Sequence, residues 1–233
     1  MDRNNILRQH ITPKSITKDT IKNFPIDGTL KFRTAFIPET TAIDTFFTNY
    51  ELIEDPFFEV KFDKSLWKNA MLDGDAYNSE WSVEVWKLPS LWDEGDLFFY
   101  QATSYGIPNW FTIDLGTKYR ITKMRVNQLT HGEGWMFNGG APKKFEIWGS
   151  NTPSTNWSDW TLLGTFESVK PSGLPLGQLS NEDYAVNLAG ENYNFNPTTN
   201  SFQYIRFKTL EIFNAADNHV CLKELTFWGQ PVD

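Results

Sequence analysis

The sequence is short of cysteine, histidine and positive charge. Its one cysteine, Cys221, has no partner for an intrachain disulfide. Stability therefore rests on a packed core, which a chain of 233 residues is long enough to build in either redox environment. Three histidines in the whole chain leave few ligands for zinc, which takes three or four His, Cys or carboxylate groups. Lys and Arg number 21 against 29 Asp and Glu, a formal net charge of -8. That balance excludes nucleic acid and an anionic membrane surface as partners, because both are held by basic side chains. No run approaches the roughly 20 apolar residues of a membrane span. Internal repeats and low-complexity tracts are also missing.

Tryptophan is missing from the start of the chain. All 10 lie between Trp67 and Trp228. This shift in composition sets a domain boundary near "ELIEDP". Residues 1–55 then stand apart from a main domain over 56–233. The first segment carries one clear strand, "GTLKFRTAFI", and is too small to close a core by itself. "MDRNNILRQH" lacks the charged-then-apolar pattern of a signal peptide. The chain is therefore cytoplasmic, or a mature or trimmed piece of a longer protein.

What is present is aromatic: 16% of the residues, with 19 Phe and 10 Trp. Such a share suits a thick β-sandwich core or exposed stacking surfaces. "FFEVKF" (57–62) alternates, and "DKSLWKNAMLDGD" reads as a helical turn running into a loop. "NWFTIDLG" (109–116) puts Phe111, Ile113 and Leu115 on one face and is stopped by Gly116. "YRITKMRVNQL" (119–129), "KKFEIWGS" (143–150), "WTLLGTFES" (160–168), "SFQYIRFKTL" (201–210) and "HVCLKELTFWG" (219–229) continue the strand pattern. One helix is expected in "SNEDYAVNLAG" (180–190), with Ser180 as cap, Asp183 completing a capping box and Gly190 ending it. Cys221 falls on a strand, where a small buried hydrophobe is expected; a nucleophilic cysteine needs a basic partner, and His219, two positions away, projects from the same face of a regular strand.

Taken in order, "LDGD…W", "NWFTIDLG", "KKFEIWGS", "QYIRFK" and "ELTFWG" resemble the coagulation-factor type C, or discoidin, domain. Bacterial carbohydrate-binding modules also use this galactose-binding-like jelly roll. The resemblance covers about Phe57 to Gly229. It implies an all-β, galactose-binding-like jelly-roll β-sandwich with one short helix, preceded by a partial β segment. "NEDYAVNLAG" and the terminal "ELTFWG" are similar to modules at the C-terminus of glycan-utilisation lipoproteins from Gram-negative bacteria. "LKFRTAFIPETTAIDTFFTNYE" is similar to the last strands of the small β-sandwich domain preceding such modules, which implies that residues 1–55 are the C-terminal remnant of such a domain, or an extended linker. The expectation is a cell-envelope protein, at the outer-membrane surface or in the periplasm, working with its own other domains or a glycan-uptake complex.

Several stretches carry candidate chemistry. In "LDGDAYNSEW" (72–81), carboxylates around a glycine suit Ca²⁺, which takes several oxygen ligands on a tight turn. In discoidin-like carbohydrate modules this turn and a glutamate of the final strand commonly hold a structural Ca²⁺. Carried over, the ligands are Asp73, Asp75 and Glu224. The sequence departs from the family in placing Glu80 after Ser79, and a self-capping Asx turn is the other reading.

"THGEGWMFNGG" (130–140) is the second. Its glycines precede Pro142 and a strand, not a helix N-terminus, so it is no phosphate cradle. His131 and Glu133 are too few ligands for zinc. As a sugar site, Trp135 or Phe137 supplies an aromatic face while His131, Glu133 and Asn138 supply hydrogen bonds. In the alternative, both rings fold back into the core. Related modules bind their ligand at this end of the sandwich; the best-known galactose binders pair a His with an Arg and an Asn, and no Arg aligns here, since Arg125 lies within a strand. Trp92, in the insert 84–108 that also carries Trp86, and Asn218, in "FNAADNHV" (213–220), are the remaining candidate ligand residues.

Catalysis has less support. Glu80, Glu84, Glu94 and Glu133 offer carboxylates for glycoside hydrolysis, but solvated surface acids explain them as well. There is no G-x-S-x-G or H-E-x-x-H motif. The expected function is non-catalytic glycan binding; a structural spacer or protein-docking module is the alternative, and a glycoside hydrolase a distant third.

Overall fold

In the computed structural model, residues 30–36, 38, 41, 43–53, 59–75, 86–101, 106–196, 198–217 and 219–232 are described. The backbone divides into two units, Met1–Phe58 and Glu59–Asp233. In the first, β1 (Leu30–Phe32) pairs antiparallel with β4 (Glu51–Ile53), and β2 (Ala35–Phe36) with β3 (Phe46–Phe47). The single strand expected over "GTLKFRTAFI" is thus broken. Between its halves the Thr34 N–H turns aside to the Thr48 hydroxyl at 3.0 Å. The Arg33 guanidinium lies 3.8 Å from the Phe47 ring centroid.

The second unit begins with β5 (Val60–Lys61), a 3₁₀ turn at Lys64–Leu66 and β6 (Lys68–Asn69). A 3₁₀ turn at Leu88–Leu91 and β7 (Phe99–Gln101) follow. Next come β8 (Asn109–Asn127), β9 (Pro142–Ser150) and β10 (Thr161–Glu167). The helix α1 (Asn181–Ala189) leads to β11 (Glu191–Asn194), β12 (Phe202–Ile212), β13 (Val220–Leu222) and β14 (Glu224–Val232). The main sheet runs β10-β9-β12-β8-β14-β5, β6 and β11 also pair with β8, and β13 pairs with β7. This is the antiparallel sandwich the sequence points to.

One strand serves both layers. Gly116 was expected to end a strand; instead β8 runs through it for 19 residues. Gly116 takes φ 80°, open to glycine, and its N–H is held by the Asp114 carboxylate at 2.7 Å, so the chain kinks without stopping. Before the kink β8 pairs with β6 and with most of β12; beyond it, with β14 and β11, and with β12 only at Phe202–Tyr119. The inward residues of one layer, Phe111, Ile113, Phe145, Ile147, Ile205 and Phe207, form one core with Ile121, Met124, Val126, Leu225 and Phe227 of the other. Each such side chain contributes roughly 1.5–3 kcal/mol on burial. The helix forms as its ends dictate: Ser180 and Asp183 make a reciprocal capping box, and Gly190 closes the C-terminus at φ 75°. The last expected strand is divided at Lys223 into β13 and β14.

Candidate functional site

The segment 128–141 connects β8 to β9, and its backbone is tied at several points, most of them in 135–141. The Trp135 and Met136 N–H groups both donate to Gly132 O at 3.0 Å. The Asn138 amide donates to Glu133 O at 3.0 Å, and Asn138 Oδ1 accepts the Gly139 N–H at 2.8 Å. Gly140 O accepts the Cys221 N–H at 3.0 Å, fastening the loop to β13. Gly140 has to be glycine: an added Cβ would stand 2.4 Å from both the ring and the carbonyl oxygen of His219.

The two expected ring faces in this loop point opposite ways. Phe137 is fully buried and meets Phe213 edge-on at 5.5 Å, so it is a core plug and not a stacking face. Trp135 stays half-buried at the surface. Trp92 is likewise corrected: it is buried against Trp67, with centroids 5.8 Å apart. The sequence offered no signal separating these rings, because loop aromatics fill the end of a sandwich as readily as they face solvent. Asn218 lies outside the described residues.

The surface beside the loop holds a continuous aromatic band. Exposed His131 meets Phe98 at 5.6 Å, Phe98 stacks on Trp86 at 5.9 Å, and Trp86 touches Tyr100 at 5.7 Å. Tyr100 stacks on His219 at 4.8 Å, and His219 meets Trp135 at 5.9 Å. The band thus leaves the loop at His131 and returns to it at Trp135. Strand alternation builds its middle: Phe99 points into the core, which turns Phe98 and Tyr100 outward. Phe98 and Tyr100 were not singled out by the sequence reading, although the alternation around Phe99 was there to be read.

Polar groups rim the band. Glu133 is exposed, Asn138 is half-buried, and Asp217 is held by the Asn214 amide at 3.1 Å. Burial keeps the His219 imidazole below its ordinary value, against the pull of the Asp217 charge, so its ring is neutral near pH 7. Burial, with Asp217 adding to it, pushes the Cys221 thiol up to about 12, so this cysteine is a protonated core side chain and not a nucleophile. The surface therefore offers half-exposed rings, a neutral imidazole, an amide and carboxylates. It suits stacking against apolar faces and hydrogen bonding to hydroxyls.

The three expected calcium ligands are not brought together. Buried Asp75 Oδ1 accepts Trp110 Nε1 at 2.9 Å and Arg206 Nη2 at 3.3 Å. Glu224 is paired with Lys64 Nζ, and Asp73 is exposed. Two of the three carboxylates already face a cation of the chain itself. Among the described residues no three His, Cys, Asp or Glu side chains are grouped as a metal needs, so this donor set does not fit Ca²⁺.

The sandwich has the galactose-binding-like jelly-roll fold, which it shares with the solved structures that match it. The chain belongs to DUF5000, a family described as a domain of unknown function, whose match spans residues 92–229. The SusE-like protein BT2857 is 25% identical with a TM-score of 0.71, over 88% of this chain and 79% of that one. A putative chitobiase fragment from Bacteroides thetaiotaomicron is 17% identical with a TM-score of 0.54, over 75% of this chain and 95% of that one. A family 32 carbohydrate-binding module, from a family 31 glycoside hydrolase of Clostridium perfringens, is 17% identical with a TM-score of 0.51, over 73% and 95%. The last two share the fold. No curated protein matches the chain.

Proposed function

We propose that residues 59–233 form a non-catalytic glycan-binding module of a bacterial cell-envelope protein that takes part in glycan uptake. The observation that carries this reading is the aromatic band from His131 through Phe98, Trp86, Tyr100 and His219 to Trp135. A sugar lays its C–H face against such rings, while Asn138, Glu133, His131 and Asp217 meet its hydroxyls. The likeness to a SusE-like protein over most of both chains supports the envelope setting, and the fold shared with a carbohydrate-binding module supports the ligand class. Among the described residues no helix is long and apolar enough to cross a membrane. Glycan and the other domains of the same polypeptide, or of an uptake complex, are the partners. Single-site affinity falls in the range of about 1 mM to 1 μM, raised by avidity from neighbouring modules.

The spacer or docking reading draws on the burial of Phe137 and Trp92, which removes two of the expected faces. A glycan array separates the two readings. Wild-type protein retains a defined subset of glycans, and Trp135→Ala or His131→Ala lowers that retention about tenfold or more, one stacking contact being worth on the order of 1.4 kcal/mol. A folded wild-type protein that retains none of them rules out the glycan module and leaves the spacer.

A further inference from the structure

Beneath the loop lies a buried polar chain that the binding surface does not itself use. Gln128 directly follows β8, Ser168 directly follows β10, and Glu191 opens β11 just after the helix-ending Gly190. Gln128 and Ser168 are fully buried. Gln128 Nε2 donates to Ser168 Oγ at 2.8 Å and to Glu191 Oε2 at 3.2 Å, and Ser168 Oγ donates to the same Glu191 oxygen at 2.6 Å. With its NH₂ committed there, Gln128 turns Oε1 toward the loop and accepts the Phe137 N–H at 3.1 Å. Phe137 sits at φ 48°, a left-handed conformation that costs a non-glycine residue strain and persists only where its surroundings hold it.

The direction of this chain depends on one charge. A carboxylate only accepts, so an ionised Glu191 fixes the Gln128 amide with its NH₂ inward and its oxygen toward Phe137. A protonated Glu191 carries a donor of its own, which competes for Ser168 Oγ or for Gln128 Oε1. The carboxyl then no longer enforces one orientation of the amide, which weakens the acceptor that Phe137 N–H uses.

We propose that Glu191 is a positioning residue for the glycan site: through Ser168 and Gln128 it holds Phe137, and with it the loop that carries His131 and Trp135, and protonation of Glu191 releases that hold. This rests on the glycan-binding reading above. Burial pushes the Glu191 carboxyl above the ordinary carboxylate range, against hydrogen bonds from Ser168, Tyr193, the Val169 N–H and Gln128. Besides Tyr193, the titratable and charged groups on the surrounding elements are Arg125 on β8, bonded to Asn192; Lys143 and Lys144 on β9; Glu167 on β10 and buried Lys170 just after it, bonded to the Pro175 and Gln178 carbonyls; Asp183 on α1, bonded to Ser172 and Ser180; and His131 and Glu133 on the loop. None of them is among the interactions that shift Glu191, which are burial and those hydrogen bonds.

The sign separates loop from fold. Because the folded-state value lies above the unfolded one, protonation of Glu191 favours the folded chain while it loosens the loop. Acidification through that raised value thus releases Phe137, while the titration of Glu191 itself takes nothing from global stability.

The experiment uses ligand-free protein. Amide hydrogen-exchange protection at Phe137 and Trp135, corrected for intrinsic rates, is followed by NMR from neutral pH down to the ordinary carboxylate range. In the wild type, protection at Phe137 falls about tenfold as pH drops, the loss of roughly one net hydrogen bond. Glu191→Gln shows low protection that no longer varies with pH, while its melting temperature is held or raised. Gln128→Ala removes the acceptor directly and shows the same flat, low protection. The proposal is overturned if Glu191→Gln keeps the wild-type protection and pH profile, or if its loop and its whole fold weaken together. A second arm passes wild type and Glu191→Gln over immobilised galactose and N-acetylglucosamine across the same pH range. Retention that weakens on acidification in the wild type and is pH-independent in the variant supports the coupling; retention with the same pH profile in both overturns it. If neither sugar nor the array retains the wild type, the glycan reading fails, and the Phe137 measurement still decides whether Glu191 positions the loop.

Discussion

Arg206 Nη2 donates to Asp75 Oδ1 at 3.3 Å in the interior of the sandwich, with the two side chains 1% and 0% exposed. The guanidinium lies over the rings of Trp157 and Trp160, 4.8 and 4.3 Å from their centroids, and Nε donates to the Thr112 hydroxyl at 3.1 Å. The pair ties the turn at 72–75 to β12. Removing one partner strands a charge that water cannot reach. Arg206→Met is therefore expected to cost about 3–5 kcal/mol in denaturant unfolding, and the double variant Arg206→Met with Asp75→Leu to recover a large part of that loss. A single-variant cost below about 1 kcal/mol would show that the pair is solvated.

The same contact bears on calcium. Asp75 is engaged by Arg206 and Trp110, and Glu224 by Lys64, so a metal would have to displace two cations of the chain. Melting in the presence of Ca²⁺ and of a chelator is expected to give one midpoint. A midpoint raised by Ca²⁺ would reveal a native-state metal site, since a ligand that binds only the folded form stabilises it.

These carboxylates mark where the sequence is legible and where it is not. Strand alternation around Phe111–Leu115, the Ser180–Asp183 capping box and the five ordered motifs are local signals, and the fold follows them. Asp75 and Arg206 stand 131 residues apart, and nothing local tells an Asp that will coordinate a metal from one that will meet an arginine. The loop behaves in the same way. Its position at the end of the sandwich was legible from the strands on either side. Which of Trp135 and Phe137 faces inward depends on Gln128 and Phe213, which meet Phe137 only in the folded chain. The aromatic band needs β7 and the residue before β13 brought together, a pairing across more than 100 residues that periodicity alone does not encode.

The helix cap gives a pH prediction. Burial would raise the Asp183 carboxyl, but hydrogen bonds from the Ser172 and Ser180 hydroxyls and backbone N–H groups outweigh it and hold the group at about 2. A depressed carboxyl contributes stability that is present above its unfolded value and lost as pH falls through the folded one. Asp183→Asn is therefore expected to lower the melting temperature at neutral pH and to differ progressively less from wild type as pH falls from the ordinary carboxylate range toward 2. Ser180→Ala, which removes the other half of the box, costs about 0.5–2 kcal/mol by the same measurement.

Cys221 tests the interior directly. Its thiol is buried and pushed up to about 12, so thiolate is scarce at neutral pH and reagent has no path to it. Labelling by a disulfide reagent is expected to be slow in native buffer and to follow the unfolding transition as denaturant rises. Rapid stoichiometric labelling of native protein would mean that the β7–β13 pair opens without global unfolding.

Gly140 separates the band from the fold beneath it. A Cβ there would meet the His219 ring and carbonyl oxygen at 2.4 Å, so Gly140→Ala forces His219 away from the loop. His219 is the link between Tyr100 and Trp135, and its displacement breaks the band between those two rings. The main core residues, Phe111, Phe145, Phe207 and Phe227, belong to β8, β9, β12 and β14 and are untouched by the change. The variant is expected to keep its β-sheet circular dichroism, to lose a modest share of its stability, roughly 1–3 kcal/mol for an overpacked site, and to lose most of its glycan retention. Retention equal to wild type in a folded Gly140→Ala protein would place the sugar elsewhere on the domain, away from the Trp135 end of the band.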